Sequence, residues 1–178
     1  MAKEINQILF NPKLQTPIKT LDIPIGGKLY SAQTLPLILD FINIVNNIKS
    51  DFTDELEDDI TGEKTARFLK ETRKIAWRIN SNHPSSLGLH PVVYFYSQDG
   101  RHKVASFYAI VRLIMDLITS KKINKFINAR SKFEMLIQEY DYLTQQINRK
   151  YRSAQKSYKK ISLFFKECID LLSVHPRI

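Results

Sequence analysis

From Thr34 onward, apolar positions recur three and four residues apart, the spacing of a helix with one buried face. In TLPLILDFINIVNNIK (34–49), Thr34 can cap and Pro36 suits the first turn. Leu37, Leu39, Ile42, Val45 and Ile48 supply the apolar positions there. TGEKTARFLKETRKIAWRIN (61–80) predicts a second helix, burying Phe68, Leu69, Ile75, Ala76 and Ile79 with Trp77 beside them. HKVASFYAIVRLIMDLI (102–118) predicts a third, richer in apolar residues and therefore more deeply buried. After a break at TSKK (119–122), the series Phe133, Leu136, Ile137, Tyr140, Leu143, Ile147 leads into Tyr151, Ala154, Tyr158, Ile161, Phe165, Cys168, Leu172. This predicts one bent helix or two helices paired as an antiparallel hairpin. The same spacing suits coiled-coil pairing with another chain.

Two stretches depart from that period. VVYFYS (92–97) is rich in β-branched and aromatic residues and predicts a strand. The apolar runs around Ile25-Gly26-Gly27-Lys28 predict a small hairpin near 22–31 that could pair with it. NHPSSLGLHP, with two prolines and a glycine, ends the helix before the strand, and SQDG turns the chain after it. The expected fold is mainly α, a helical bundle or long helical hairpin with a small β element. Residues 1–120 form its helical part, and 121–178 form a basic hairpin or extension packed on it as one structural unit. Residues 1–20, with Pro12 and Pro17, read as an extended arm.

Composition narrows the chemistry. Hydrophobic residues make up 43%, enough for a core, and five glycines among 178 residues suit helices. The single Cys168 excludes an internal disulfide and any zinc site with two cysteine ligands from this chain; it reads as a small core residue. That cysteine usage fits a reducing cytoplasm. No apolar run reaches the ~20 residues of a membrane span, and the first residues lack a signal-peptide core. The expected location is cytoplasmic, with no membrane partner.

The net charge of +9 is unevenly placed. DFTDELEDDI (51–60) holds six acids and no bases, whereas 121–178 holds thirteen bases against five acids. Such asymmetry suits a polyanionic partner. The densest stretch is RKYRSAQKSYKK (149–160): Arg149, Lys150, Arg152, Lys156, Lys159 and Lys160, with no acid between them. Cations there can neutralise phosphates, and Tyr151 and Tyr158 can stack on exposed bases. Arg101 and Lys103, beside Gly100 at the entrance of the third helix, form a second candidate anion contact.

Sharper chemistries fit less well. Gly26-Gly27-Lys28 lacks the longer glycine-rich frame of a phosphate loop, and DELEDD lacks the ligand order of a calcium loop. His83, His90, His102 and Asp99 lack the paired helical spacing of a metal site. Ser85 and Ser86 lack a nucleophile-elbow pattern. No metal or cofactor is expected.

Two family resemblances add to this reading. Arg78, followed after four residues by His83, resembles the motif of HEPN ribonucleases, helical proteins whose arginine and histidine act on RNA. Here Ile79 stands where that family has a polar residue, and Pro84 follows the histidine. Asp99-Gly100-Arg101-His102-Lys103 resembles the Asp-Gly-x-x-Arg turn of ParB-like, modification-dependent restriction proteins. Lys103 replaces that family's arginine and loses its bidentate fork. The wider stretch 80–115 is similar to the helical regions that follow such domains in prokaryotic defence proteins. The leading expectation is a nucleic-acid-binding subunit or accessory module of a prokaryotic defence or DNA/RNA-processing complex, with other protein subunits as partners and no catalytic residue of its own. The alternatives are a HEPN-like ribonuclease using Arg78 and His83, and an assembly protein pairing through its C-terminal helices.

Overall fold

The computed structural model describes Ile25, residues 34–48 and residues 58–174, and the regular structure among them is seven helices. These are α1 (Thr34–Asn46), α2 (Glu63–Ile79), α3 (Pro91–Phe95), α4 (Val104–Thr119), α5 (Ile123–Glu139), α6 (Asp141–Tyr151) and α7 (Ala154–Val174). The chain divides into two compact units between Gly88 and Leu89. The expected hairpin near 22–31 lies outside the described residues apart from Ile25, which is buried.

In the first unit α1 packs on α2. The buried stripe of α1 is Thr34, Ile38, Phe41 and Val45, while Leu39, expected inside, is half exposed. On α2 the stripe is Thr72, Ala76 and Ile79, and Leu69 also faces out. Asn46 closes the α1 end: its Nδ2 donates to the carbonyls of Ile42 (2.8 Å) and Phe68 (3.3 Å) and to Thr72 Oγ1 (3.2 Å). At the start of α2, Asp59 accepts the backbone N–H of Thr65 at 2.6 Å and of Lys64 at 3.3 Å. These bonds satisfy orphan helix donors, and the Thr65 bond above all holds the Asp59 carboxyl below its ordinary range.

In the second unit α4 is the central helix. Residues 105–111 are buried on every side, with Leu113, Ile114 and Leu117 continuing inward, as its apolar content predicts. Its most extensive packing is against α7. The chain then turns at Ser120–Lys122, where Lys121 takes a left-handed φ of 56°. α5 runs antiparallel to α7: Lys125 pairs with Asp170 (3.0 Å), and Phe133 meets Phe165 edge-on at 5.3 Å. α6 continues α5 after a break at Tyr140 and also packs on α7. The long C-terminal pattern is therefore both of the shapes it predicts: a bent helix, α5–α6, folded back against α7.

The strand expected over 92–97 is a helix instead. Pro91 opens α3 with φ already preset, and Pro91, Tyr94 and Phe95 bury one face at helical spacing. Tyr94 is buried against Phe133 and Phe95, and its hydroxyl donates to Glu134 Oε1 at 2.8 Å. Burial, with the Glu134 carboxylate beside it, drives the phenol pKa far upward. β-Propensity loses because, among the described residues, no neighbouring strand offers a ladder, whereas α4 and α5 offer an apolar surface. What remains of the β element among the described residues is one antiparallel bridge, Tyr96 to His102. The turn inside it is as expected: Gly100 sits at φ 71°, with its N–H on the Ser97 carbonyl at 2.9 Å.

Candidate nucleic-acid interface

The six cations of 149–160 fall at one end of the helical hairpin. Arg149 and Lys150 occupy the last turn of α6, where they complement the helix dipole. Arg152 forms the turn, in the left-handed conformation at φ 59°, and its N–H caps α6 on the Asn148 carbonyl at 2.9 Å. Ser153 starts α7, its Oγ accepting the Lys156 N–H at 3.2 Å. Ser157 donates across the hairpin to Asn148 Oδ1 at 2.7 Å and fixes the register of the tip. Lys156, Lys159 and Lys160 follow at three- and four-residue spacing on α7. All six side chains are exposed.

Four acids of this unit are engaged away from the tip. Glu134 accepts from Arg130 Nε at 2.7 Å, Asp170 from Lys125, and Asp116 pairs with Arg112 at 3.2 Å. Asp141 accepts from Lys103 Nζ at 2.9 Å and from Gln145 at 2.7 Å. Burial would raise the Asp141 carboxyl, but the Lys103 and Gln145 bonds outweigh it and hold the group below its ordinary range. From residue 142 to 166 the chain has seven bases and no acid. Among the described residues, none of the six tip cations takes part in an ion pair.

The other expected contacts are differently placed. Lys103 turns inward to Asp141 and joins the start of α4 to the start of α6; it is only 16% exposed. Arg101 is exposed, so the second expected patch contributes one outward cation rather than two. Arg101, His102 and Lys103 precede α4 instead of forming its first turn. Tyr158 is half-buried, its ring edge-on to Tyr108 of α4 at 6.2 Å and Lys159 Nζ 5.9 Å from its centroid. Tyr151 is half-buried at the end of α6. Cys168 is a buried free thiol whose pKa burial pushes upward, as a core residue requires.

Arg78 and His83 meet around Ser85. Arg78 Nη1 donates to the Ser85 carbonyl at 2.8 Å, and its own carbonyl accepts the Leu87 N–H at 2.8 Å, so this arginine closes the loop after α2. His83 Nδ1 accepts the Ser85 N–H at 3.1 Å and lies 2.8 Å from the Ser85 hydroxyl. With Nδ1 an acceptor, the proton of the neutral ring belongs on Nε2. The His83 ring stacks on Trp77 at 5.0 Å with 20° between planes. Among the described residues, no group of three or more His, Cys, Asp and Glu could hold a metal. No described helix is long and apolar enough to cross a membrane.

Reading 61–80 from its apolar side alone misses its other face. Arg67, Lys70, Arg73 and Lys74 are all exposed there, and their three- and four-residue repeat was the available signal. Compared with family models, curated proteins and solved structures, the chain matches none.

Proposed function

We propose that the chain binds nucleic acid through the tip of the α6–α7 hairpin. Arg149, Lys150, Arg152, Lys156, Lys159 and Lys160 grip backbone phosphates and read little base identity. The observation that carries this is the uncompensated tip: six exposed cations in a stretch, 142–166, that has no acid, with Asp116, Glu134, Asp141 and Asp170 of the same unit paired elsewhere. Like charges so close repel, and a polyanion relieves that repulsion while releasing its own counterions. Membership of a prokaryotic defence or nucleic-acid-processing complex, alongside other subunits, rests on the resemblance over 80–115. No catalytic role is assigned, and the grip needs no cofactor.

The test is fluorescence polarisation of labelled double-stranded DNA and RNA at low salt with Lys156→Gln/Lys159→Gln/Lys160→Gln. A loss of tenfold or more in affinity, with helical content unchanged, is expected. Equal affinity for variant and parent removes the tip from the interface. An assembly role for the same helices draws on a different observation: Ile127, Met135, Leu163 and Leu171 are half or more exposed on α5 and α7. That role predicts a mixed oligomer on a sizing column and no dependence of affinity on the tip lysines.

A further inference from the structure

The first unit carries a second basic surface, independent of the hairpin tip. α2 buries Thr72, Ala76 and Ile79, so the opposite face is presented outward. That face carries Arg67, Lys70, Arg73 and Lys74, which with Glu63, Ala66 and Glu71 wall a shallow groove ending at Trp77. Over its 17 residues α2 has six bases, Lys64, Arg67, Lys70, Arg73, Lys74 and Arg78, against Glu63 and Glu71. The Glu71–Lys74 pair, at 2.7 Å, is 47% and 69% exposed, so it contributes little stability and Lys74 can exchange it for a phosphate at small cost. At ~1.5 Å per residue, Arg67 and Lys74 stand about 10 Å apart along the axis.

The groove ends in an aromatic stack. The Arg73 guanidinium lies 4.2 Å from the Trp77 ring centroid, and the His83 ring stacks on the same indole. Ser85 anchors His83 through Nδ1, and the ring is exposed. A row of cations leading to an anchored, exposed flat ring matches a strand whose phosphates follow the row and whose unpaired base lies on the ring. A duplex offers the phosphates but keeps its bases stacked within the helix.

We infer that the outer face of α2, with the Trp77–His83 stack, is a binding site for single-stranded nucleic acid. Arg67, Lys70 and Lys74 contact phosphates, and His83 receives a base. The inference goes beyond the hairpin tip and stands or falls separately from it.

Trp77 is the only tryptophan in the chain, so intrinsic emission reports this site alone. Short poly(dT) is titrated into the full chain while Trp77 emission is followed; a matching duplex is the control. Expected is saturable quenching by the single strand, retained in Lys156→Gln/Lys159→Gln/Lys160→Gln. Arg67→Gln/Lys70→Gln/Lys74→Gln shifts the quench at least tenfold to higher strand concentration. His83→Ala weakens single-strand binding about fivefold to 100-fold, the usual weight of one stacked base, and leaves duplex binding unchanged. These side chains are exposed, and circular dichroism confirms that each variant keeps its helices. Constant emission throughout the titration overturns the inference, as does equal quenching by duplex. If the tip variant abolishes all binding while the α2 variant changes nothing, only the tip is an interface.

Discussion

Lys103 shows how a cation legible in the sequence acquires a role that the sequence does not display. Beside Gly100 it reads as an anion contact, yet its ammonium reaches 38 positions along the chain to Asp141 and is nearly buried there. Nothing in the local pattern reports that pairing, because it depends on how α4 and α6 meet. Asp141→Ala leaves Lys103 without its partner, and a loss of about 1.5–3 kcal/mol is expected from urea unfolding, with the slope unchanged. The pH dependence follows from the lowered carboxyl. Its unfolded-state value is the ordinary 3.8, so the increment is present above that value and fades as pH falls through the lower folded value. Acid titrations of Asp141→Ala should therefore lack a component that the parent shows below pH ~4. Phe133 is a simpler case. It is fully buried, edge-on to both Phe126 and Phe165, and its place in the apolar series was plain from spacing. Phe133→Ala should cost ~3–5 kcal/mol, and a smaller loss would mean that the site collapses around the missing ring.

At the scale of elements, period was informative and composition misled. The helices beginning at Thr34, Glu63, Val104 and Ile123 all announce themselves by apolar spacing, and the break at 119–122 by its polar run. The stripes themselves were legible only to within a position: α1 buries Ile38 and Phe41 where spacing favoured Leu37 and Ile42. VVYF was misread because β-branched and aromatic residues describe a half-buried surface as much as a backbone conformation. A five-residue helix gives too few repeats for its period to compete with that signal. Tyr94→Phe tests the element directly. Losing the bond to Glu134 should cost ~1 kcal/mol and leave helical content unchanged. Gly100→Ala, at φ 71°, should cost about 1–2 kcal/mol through the turn that delivers the chain into α4. A neutral result would show that this turn relaxes freely.

For the molecule as a whole, charge segregation was the feature most open to reading. The excess of bases over acids after residue 121 is a property of the sequence, and the fold adds where it goes. It draws Asp116, Glu134, Asp141 and Asp170 into pairs and leaves the hairpin tip to Arg149, Lys150, Arg152, Lys156, Lys159 and Lys160. The basic face of α2 is equally present in the sequence but interleaved with its apolar side, since one helix carries both stripes. The tip claim is tested most directly by the salt dependence of affinity. Each phosphate neutralised on a duplex contributes about −0.9 to the slope of log K against log salt. A parent slope of several units is predicted, falling by ~2–3 in Lys156→Gln/Lys159→Gln/Lys160→Gln, with stability unchanged to ~0.5 kcal/mol. Parallel salt plots for parent and variant would contradict the account, because those lysines would then release no counterions on binding.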